Sequence, residues 1–273
     1  VNLKNSYIKM VSVCSVNYHN NTVPEVVRMR RATNSSFQLR LQNPSRQTLR
    51  GERVSCLVAE AGAWKLPDGC PFEAWAYINK TTARKGSWAS ERRSYLQRYI
   101  NPVILGQVMT FNDSNWSVFW SRGSSRGSPP SSTVLRTGKH IGEDKHSLRH
   151  DETIGYIVIE AGNGSVAGLV YEAGLGTKTI LGTGNSPPGG SYTFNWPFAR
   201  TPAFAVVSQA GMNAGDGSWA ATYGPTPLSS VSLRLAVDED QIGDSERRHP
   251  AEQISYLVLS GQLDLTVQAA ILP

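Results

Sequence analysis

Three segments of the chain can be laid over one another at a fixed step: Glu52-Arg-Val-Ser-Cys-Leu-Val-Ala-Glu-Ala-Gly62, Glu152-Thr-Ile-Gly-Tyr-Ile-Val-Ile-Glu-Ala-Gly162 and Glu252-Gln-Ile-Ser-Tyr-Leu-Val-Leu-Ser-Gly261. Glu52, Glu152 and Glu252 stand one hundred residues apart, Val54, Ile154 and Ile254 keep register, and a glycine closes each run. A step repeated in this way restricts the chain to architectures built from one recurring unit. Pro102 and Pro202 keep the same step, each before an apolar run that ends in a polar turn.

The texture between these landmarks is β. Runs rich in Val, Ile, Ser, Thr, Tyr and Trp are separated by Gly and Pro, and segments such as Phe37-Gln-Leu-Arg-Leu and Val231-Ser-Leu-Arg-Leu alternate with period two. Only Ser90 to Tyr99 has a helix-like composition, and it is too short to stand as a helix without tertiary packing. The predicted fold is all-β: three tandem β-sandwich repeats, immunoglobulin-like or lectin-like, of about one hundred residues. Repeat one spans 1–62, repeat two 63–162 and repeat three 163–261, leaving 262–273 as a C-terminal strand.

The pattern His-x-Glu-Thr-Ile-Gly-Tyr-Ile at His150 to Ile157, weaker at His249 to Leu257, resembles a repeat of secreted surface or fibril proteins of aquatic bacteria and algae. The sandwich is distantly similar to H-type lectins. Repeat one departs from the pattern, with Arg50 for the histidine and Cys56 for the tyrosine. The resemblance implies an extracellular adhesive or structural role and carries no catalytic residues.

An early strand follows the closing glycine in two places, Pro71-Phe-Glu-Ala-Trp-Ala-Tyr-Ile and Val166-Ala-Gly-Leu-Val-Tyr-Glu-Ala, and repeat one has no counterpart. After Gly261, Leu263, Leu265, Val267, Ala269 and Ile271 alternate with smaller or polar residues, as a half-buried strand does. The expectation is that this tail completes the first repeat of the next copy by strand addition. Such a heterologous contact closes into a ring or grows into a filament, and a filament is the favoured reading: an extracellular, glycosylated structural homopolymer. The competing reading is a carbohydrate-binding or adhesion module facing a cell-surface polysaccharide, with Trp116 and Trp219, near Asn- and Gly-rich turns, as stacking platforms.

Secretion is expected from six sequons, at Asn20, Asn34, Asn79, Asn112, Asn115 and Asn163, a set richer than chance placement gives. It requires a signal peptide already removed, because the first residues lack an apolar core. Two loops, Ser128-Pro129-Pro130 and Ser186-Pro187-Pro188, are expected to be exposed, and resemble the Ser-Pro-Pro sites that green algae and plants glycosylate. Cys14, Cys56 and Cys70 lack metal-ligand spacing, so one disulfide and one free thiol are expected, with all three pairings open.

Chemistry finds little anchor. No apolar run is long enough for a membrane span. The net charge of +6 is dispersed; its densest cluster, Arg28, Arg30 and Arg31, reads as a solvated strand face, and no nucleic-acid motif accompanies it. His150 with Glu152, and His249 with Glu252, read as hydrogen-bonding pairs at strand starts, with His140, Asp144 and His146 as the further ligands a metal would need; no metal and no cofactor are expected. Glu239 and Asp240 read as a solvated turn. Without a nucleophile turn, no enzymatic activity is expected.

Overall fold

The computed structural model describes residues 1–263. In chain order the strands are β1 (Met10–Tyr18), β2 (Val26–Arg30), β3 (Gln38–Gln42), β4 (Arg53–Glu60), β5 (Gly62–Lys65), β6 (Pro71–Asn79), β7 (Thr82–Ala83), β8 (Glu91–Arg93), β9 (Pro102–Val108) and β10 (Val118–Arg122). They continue with β11 (Leu135–His140), β12 (Glu152–Glu160), β13 (Gly162–Val166), β14 (Leu169–Leu175), β15 (Gly190–Thr193), β16 (Phe204–Gln209), β17 (Trp219–Tyr223), β18 (Ser232–Asp238) and β19 (Ile254–Leu259). No helix occurs among the described residues, in line with the β texture of the sequence.

The three superimposed runs are β4, β12 and β19, and the way they sit explains their composition. β12 lies between β6 and β9 in the sheet β5-β6-β12-β9, and β19 between β14 and β16 in the sheet β13-β14-β19-β16. Alternate residues feed different cores: Ile154, Tyr156 and Val158 enter one cluster with Phe119 and Leu135, while Ile157 and Ile159 enter a central one. β19 divides in the same way, Ile254, Tyr256 and Val258 packing with Leu233 and Leu235, and Leu257 and Leu259 joining the central core. A strand buried on both faces must be apolar on both, hence the near-continuous Ile/Val/Leu runs.

The expected fold of three tandem sandwiches is corrected here. β1 and β4 of the first third share a five-stranded sheet, β15-β18-β17-β1-β4, with three strands of the last third, through a parallel pairing of Asn17 with Thr222 and Tyr18 with Tyr223. The second and third thirds each enclose a smaller cluster, but the central core draws on β1, β9, β12, β16 and β19 together, so the thirds are not separate domains. The remaining large sheet is β10-β11-β7 with β8 beside β11, and β2-β3 forms a hairpin. The four large sheets are arranged as in a four-bladed β-propeller within a single domain. The sequence step recorded the recurring strands correctly, but long-range pairing between non-adjacent repeats carries no local sequence signal.

Two smaller expectations also change. Val166 to Ala173 is not one strand: Ala167 and Gly168 have φ of 49° and 78°, making a tight turn between β13 and β14. Pro130 is buried and Ser128 and Pro129 half-buried, whereas Ser186 and Pro187 are exposed as expected. Pro71 to Ile78 does form a strand, within β6.

Candidate functional site

The strand-addition reading directs attention to β4. It pairs antiparallel with β1 from Met10–Glu60 to Asn17–Arg53, and among the described residues no strand pairs with its other edge. Its counterparts β12 and β19 have a neighbour on both sides. The consequence is visible in burial: β19 is buried throughout and β12 nearly so, but every residue of β4 is half-buried or exposed. Open strand edges are sites for pairing with another segment.

Covalent chemistry holds β4 on its remaining side. Cys14 and Cys56 are directly opposite in the β1–β4 register, with Cα atoms 4.1 Å apart, and form a disulfide; Cys70 is free. Cys56 occupies the place of Tyr156 and Tyr256 in the other two runs. A disulfide closing a loop of this length is worth about 4 kcal/mol in the chain-entropy account.

The repeated glutamates act as caps for loop backbone. Glu52 Oε1 accepts from the amides of His19 (3.1 Å), Asn20 (2.5 Å) and Asn21 (2.9 Å). Glu152 accepts from the amides of Asn112 and Asp113, both at 3.1 Å, and from Thr110 Oγ1. Glu252 accepts from the amides of Asn213 and Ala214. At the far end of the runs Glu60 takes the amides of Ile8 and Lys9, and Glu160 those of Ile100 and Asn101. One carboxylate satisfying several backbone donors fixes each loop against its strand, which is why glutamate recurs at these positions.

The cations beside these carboxylates differ from repeat to repeat. Arg28, expected on a solvated face, is buried instead: Nη2 lies 3.4 Å from Glu152, Nη1 donates to the carbonyl of Asn115, and the guanidinium sits over Phe111. Arg30 and Arg31 are exposed. His150 is exposed and does not meet Glu152; its amide donates to Asp113. His249 does meet Glu252, Nε2 to Oε1 at 3.0 Å, and its Nδ1 lies 2.7 Å from Glu239. Glu239 and Asp240, expected in a solvated turn, are buried just after β18, where they meet the loops carrying His249 and Glu143.

His249 completes a constellation that sequence reading missed. Its Nε2 also lies 2.9 Å from Ser218 Oγ, so serine, histidine and glutamate stand in the order of a nucleophilic triad. The proton arrangement argues against that chemistry. Ser218 Oγ donates to Gln209 Oε1, while the carboxylates of Glu239 and Glu252 face Nδ1 and Nε2 of the imidazole, an arrangement that favours the doubly protonated ring. Burial alone would lower the imidazole pKa, but the Glu239 and Glu252 carboxylates outweigh it and push it up to about 9. A charged imidazolium cannot act as a general base, and Ser218 is fully buried. The residues lie far apart in sequence, on three different strand ends or loops, so no motif announced them.

No group of His, Cys, Asp and Glu among the described residues is arranged to hold a metal ion. His140 is fully buried, which holds its imidazole down to about 3, while Asp144 is paired with Arg149 at 2.7 Å. Both aromatic candidates for sugar stacking are buried: Trp116 is 2% and Trp219 4% exposed, packed on one another with ring centroids 5.5 Å apart. Neither presents a face to a ligand. Of the sequons, Asn20, Asn34, Asn112 and Asn163 are exposed and Asn115 half-buried. Asn79 is fully buried and donates to Thr81 and Glu91, leaving no room for a glycan in the folded chain. Leu263 packs on the central core, and Leu265, Val267, Ala269 and Ile271 lie outside the described residues. No helix among the described residues is long and apolar enough to cross a membrane.

Comparison of the chain with protein-family models, with curated proteins and with solved structures gives no match.

Proposed function

We propose that the protein is a structural subunit of an extracellular, glycosylated filament, joined head to tail by insertion of its C-terminal segment beside β4. One observation carries this reading. After β4 the chain turns at Gly62 into β5 and β6, and β6 pairs with β12; after β12 it turns at Gly162 into β13 and β14, and β14 pairs with β19. Each corner thus delivers the chain to the sheet of the next glutamate-led strand. Gly62 and Gly162 have φ of 144° and 148°, a backbone region that favours glycine, which explains the glycine closing the first two runs; Gly261 does not share that conformation. Applied a third time, after β19 and Gly261, the same rule leads to the sheet of β4, whose outer edge is unpaired among the described residues.

The alternation of Leu263, Leu265, Val267, Ala269 and Ile271 suits a strand laid against the half-buried β4. Addition between copies gives a heterologous contact and an open polymer. The Cys14–Cys56 disulfide and the exposed sequons support an extracellular setting. The lectin reading loses its basis in stacking, since Trp116 and Trp219 are buried.

The test compares the intact chain with one ending at Gly261 by size-exclusion chromatography and negative-stain microscopy. The expected result is fibres or high oligomers for the intact chain and monomers for the truncated one. Monomers from both would overturn the reading, and a loss of thermal stability on truncation would then assign the tail to β4 of its own chain.

A further inference from the structure

Across β8, β11 and β10 the sheet carries its charge in one row. Arg92 of β8 stands opposite Arg136 of β11, and Arg136 opposite Arg122 of β10, so three arginines lie side by side on one face. Arg92 is exposed, and Arg122 and Arg136 are half-buried. Like charges directly opposite on neighbouring strands destabilise a sheet. Burial, and then the charge of Arg136, push the Arg122 guanidinium below its ordinary range.

No carboxylate of this sheet offsets the repulsion. From Ser114 to Gly142, which takes in β10, β11 and the loop between them, the chain has no acidic residue. Glu91 of β8 stands opposite Thr137, on the other face, and its carboxylate already accepts from Asn79 Nδ2 at 2.7 Å and from the Lys80 amide at 3.1 Å. Among the described residues no ion pair joins Arg92, Arg122 or Arg136 to a carboxylate.

The architecture does not demand such a row. β15, β18 and β17 repeat the arrangement, and there Arg234 of β18 stands opposite Ser191 of β15, with its guanidinium 5.4 Å from the ring centre of Tyr223 of β17. One arginine resting on an aromatic ring serves where three arginines stand in the other sheet.

Two of the three guanidiniums are held in place by neutral acceptors. Ser90 Oγ accepts from Arg122 Nε at 2.9 Å, the Ser90 carbonyl accepts from Arg136 Nη1 at 3.4 Å, and Arg122 Nη1 donates to the carbonyls of Gly123 and Ser124. A guanidinium has five N–H donors, so charge and donors remain for an anion. Arginines fixed in this way are forks for oxyanions. Because the row crosses strands about 4.8 Å apart, it suits a chain with repeated charges better than a single ion. Trp120, whose ring centre lies 5.8 Å from the Arg122 guanidinium, is fully buried, which denies nucleic-acid bases a stacking platform. We propose that this row binds an anionic polysaccharide, its guanidiniums gripping sulfate or carboxylate groups along the chain. The inference does not rest on polymerisation.

The test is isothermal titration calorimetry of the full chain with dextran sulfate and with polygalacturonate, using uncharged dextran and single-stranded DNA as competitors for the assignment. Dextran sulfate, polygalacturonate or both are expected to bind, and the tighter of the two identifies the anionic group. Arg92→Gln is expected to weaken binding about tenfold, the size of one charge-assisted hydrogen bond, and Arg92→Gln with Arg136→Gln about a hundredfold. Arg200→Gln, at an exposed arginine outside the row, should leave binding unchanged. The unfolding midpoint of the double variant should hold or rise, since a repulsion is removed. Binding of neither polyanion, equal binding of dextran, tighter binding of the DNA, affinity unmoved by the double variant, or a fall in its unfolding midpoint would each overturn the proposal.

Discussion

β4 and β12 are versions of the same strand in two settings. Both begin with a glutamate that caps a loop, both end in Glu-Ala-Gly, and both carry apolar residues at matching positions. β12 has strands on either side and Arg28 buried against its glutamate; among the described residues β4 has one neighbour, no buried cation beside Glu52, and a disulfide. The comparison teaches that the stability of a repeated strand can rest on different devices. Ladder pairing and packing hold β12, whereas a covalent tie holds a strand whose outer edge is unpaired among the described residues.

The largest contrast is expected at the glutamates. Glu152→Ala leaves the buried Arg28 guanidinium uncompensated and is expected to cost about 3–5 kcal/mol. Glu52→Ala removes hydrogen bonds from a half-buried carboxylate and is expected to cost only about 1 kcal/mol. Urea denaturation of the two variants reads the difference, and equal losses would break the comparison.

The next effect lies at the disulfide. Cys14→Ser with Cys56→Ser is expected to lower stability by about 2–4 kcal/mol. In assembled fibres the loss should shrink, because a donor strand would then supply the second ladder that β12 already has. Calorimetry of free and polymerised protein, with and without the bond, measures this directly.

The smallest expected effect concerns the third glutamate. His249 has its pKa raised to about 9 in the fold, against an unfolded value of about 6.5. Its ion-pair contribution is therefore complete below about pH 6.5 and is lost as pH rises through 9. Urea midpoints measured from pH 6 to 9.5 should fall more steeply for the natural chain than for His249→Gln. An identical slope in both would remove the imidazolium from the clamp.

Much of this was legible in the sequence, and the reason is the range of the interactions involved. The β class, the positions of β4, β12 and β19, and the glycine corners follow from periodicity and backbone sterics, which act over a few residues. The glutamate step was visible too, although its capping role was not, since its partners lie tens of residues away, as Asn21 does from Glu52. Burial misled the reading at Glu239, Asp240, Arg28, Trp116 and Trp219. Arg28 stands between apolar Val27 and Met29 and the others beside polar or small residues, but the groups that cover Arg28, such as Phe111 and Glu152, lie far along the chain.

By itself the sequence determined that the chain is β throughout, that its unit recurs every hundred residues, and that glutamate and glycine mark the ends of each recurring strand. The tertiary structure alone decided which repeats share a sheet, that Cys14 joins Cys56, and that His249, Ser218 and Glu239 meet. Propensity and periodicity are written in neighbouring residues, whereas sheet partnership is settled by which edges and apolar faces find each other once the whole chain has collapsed.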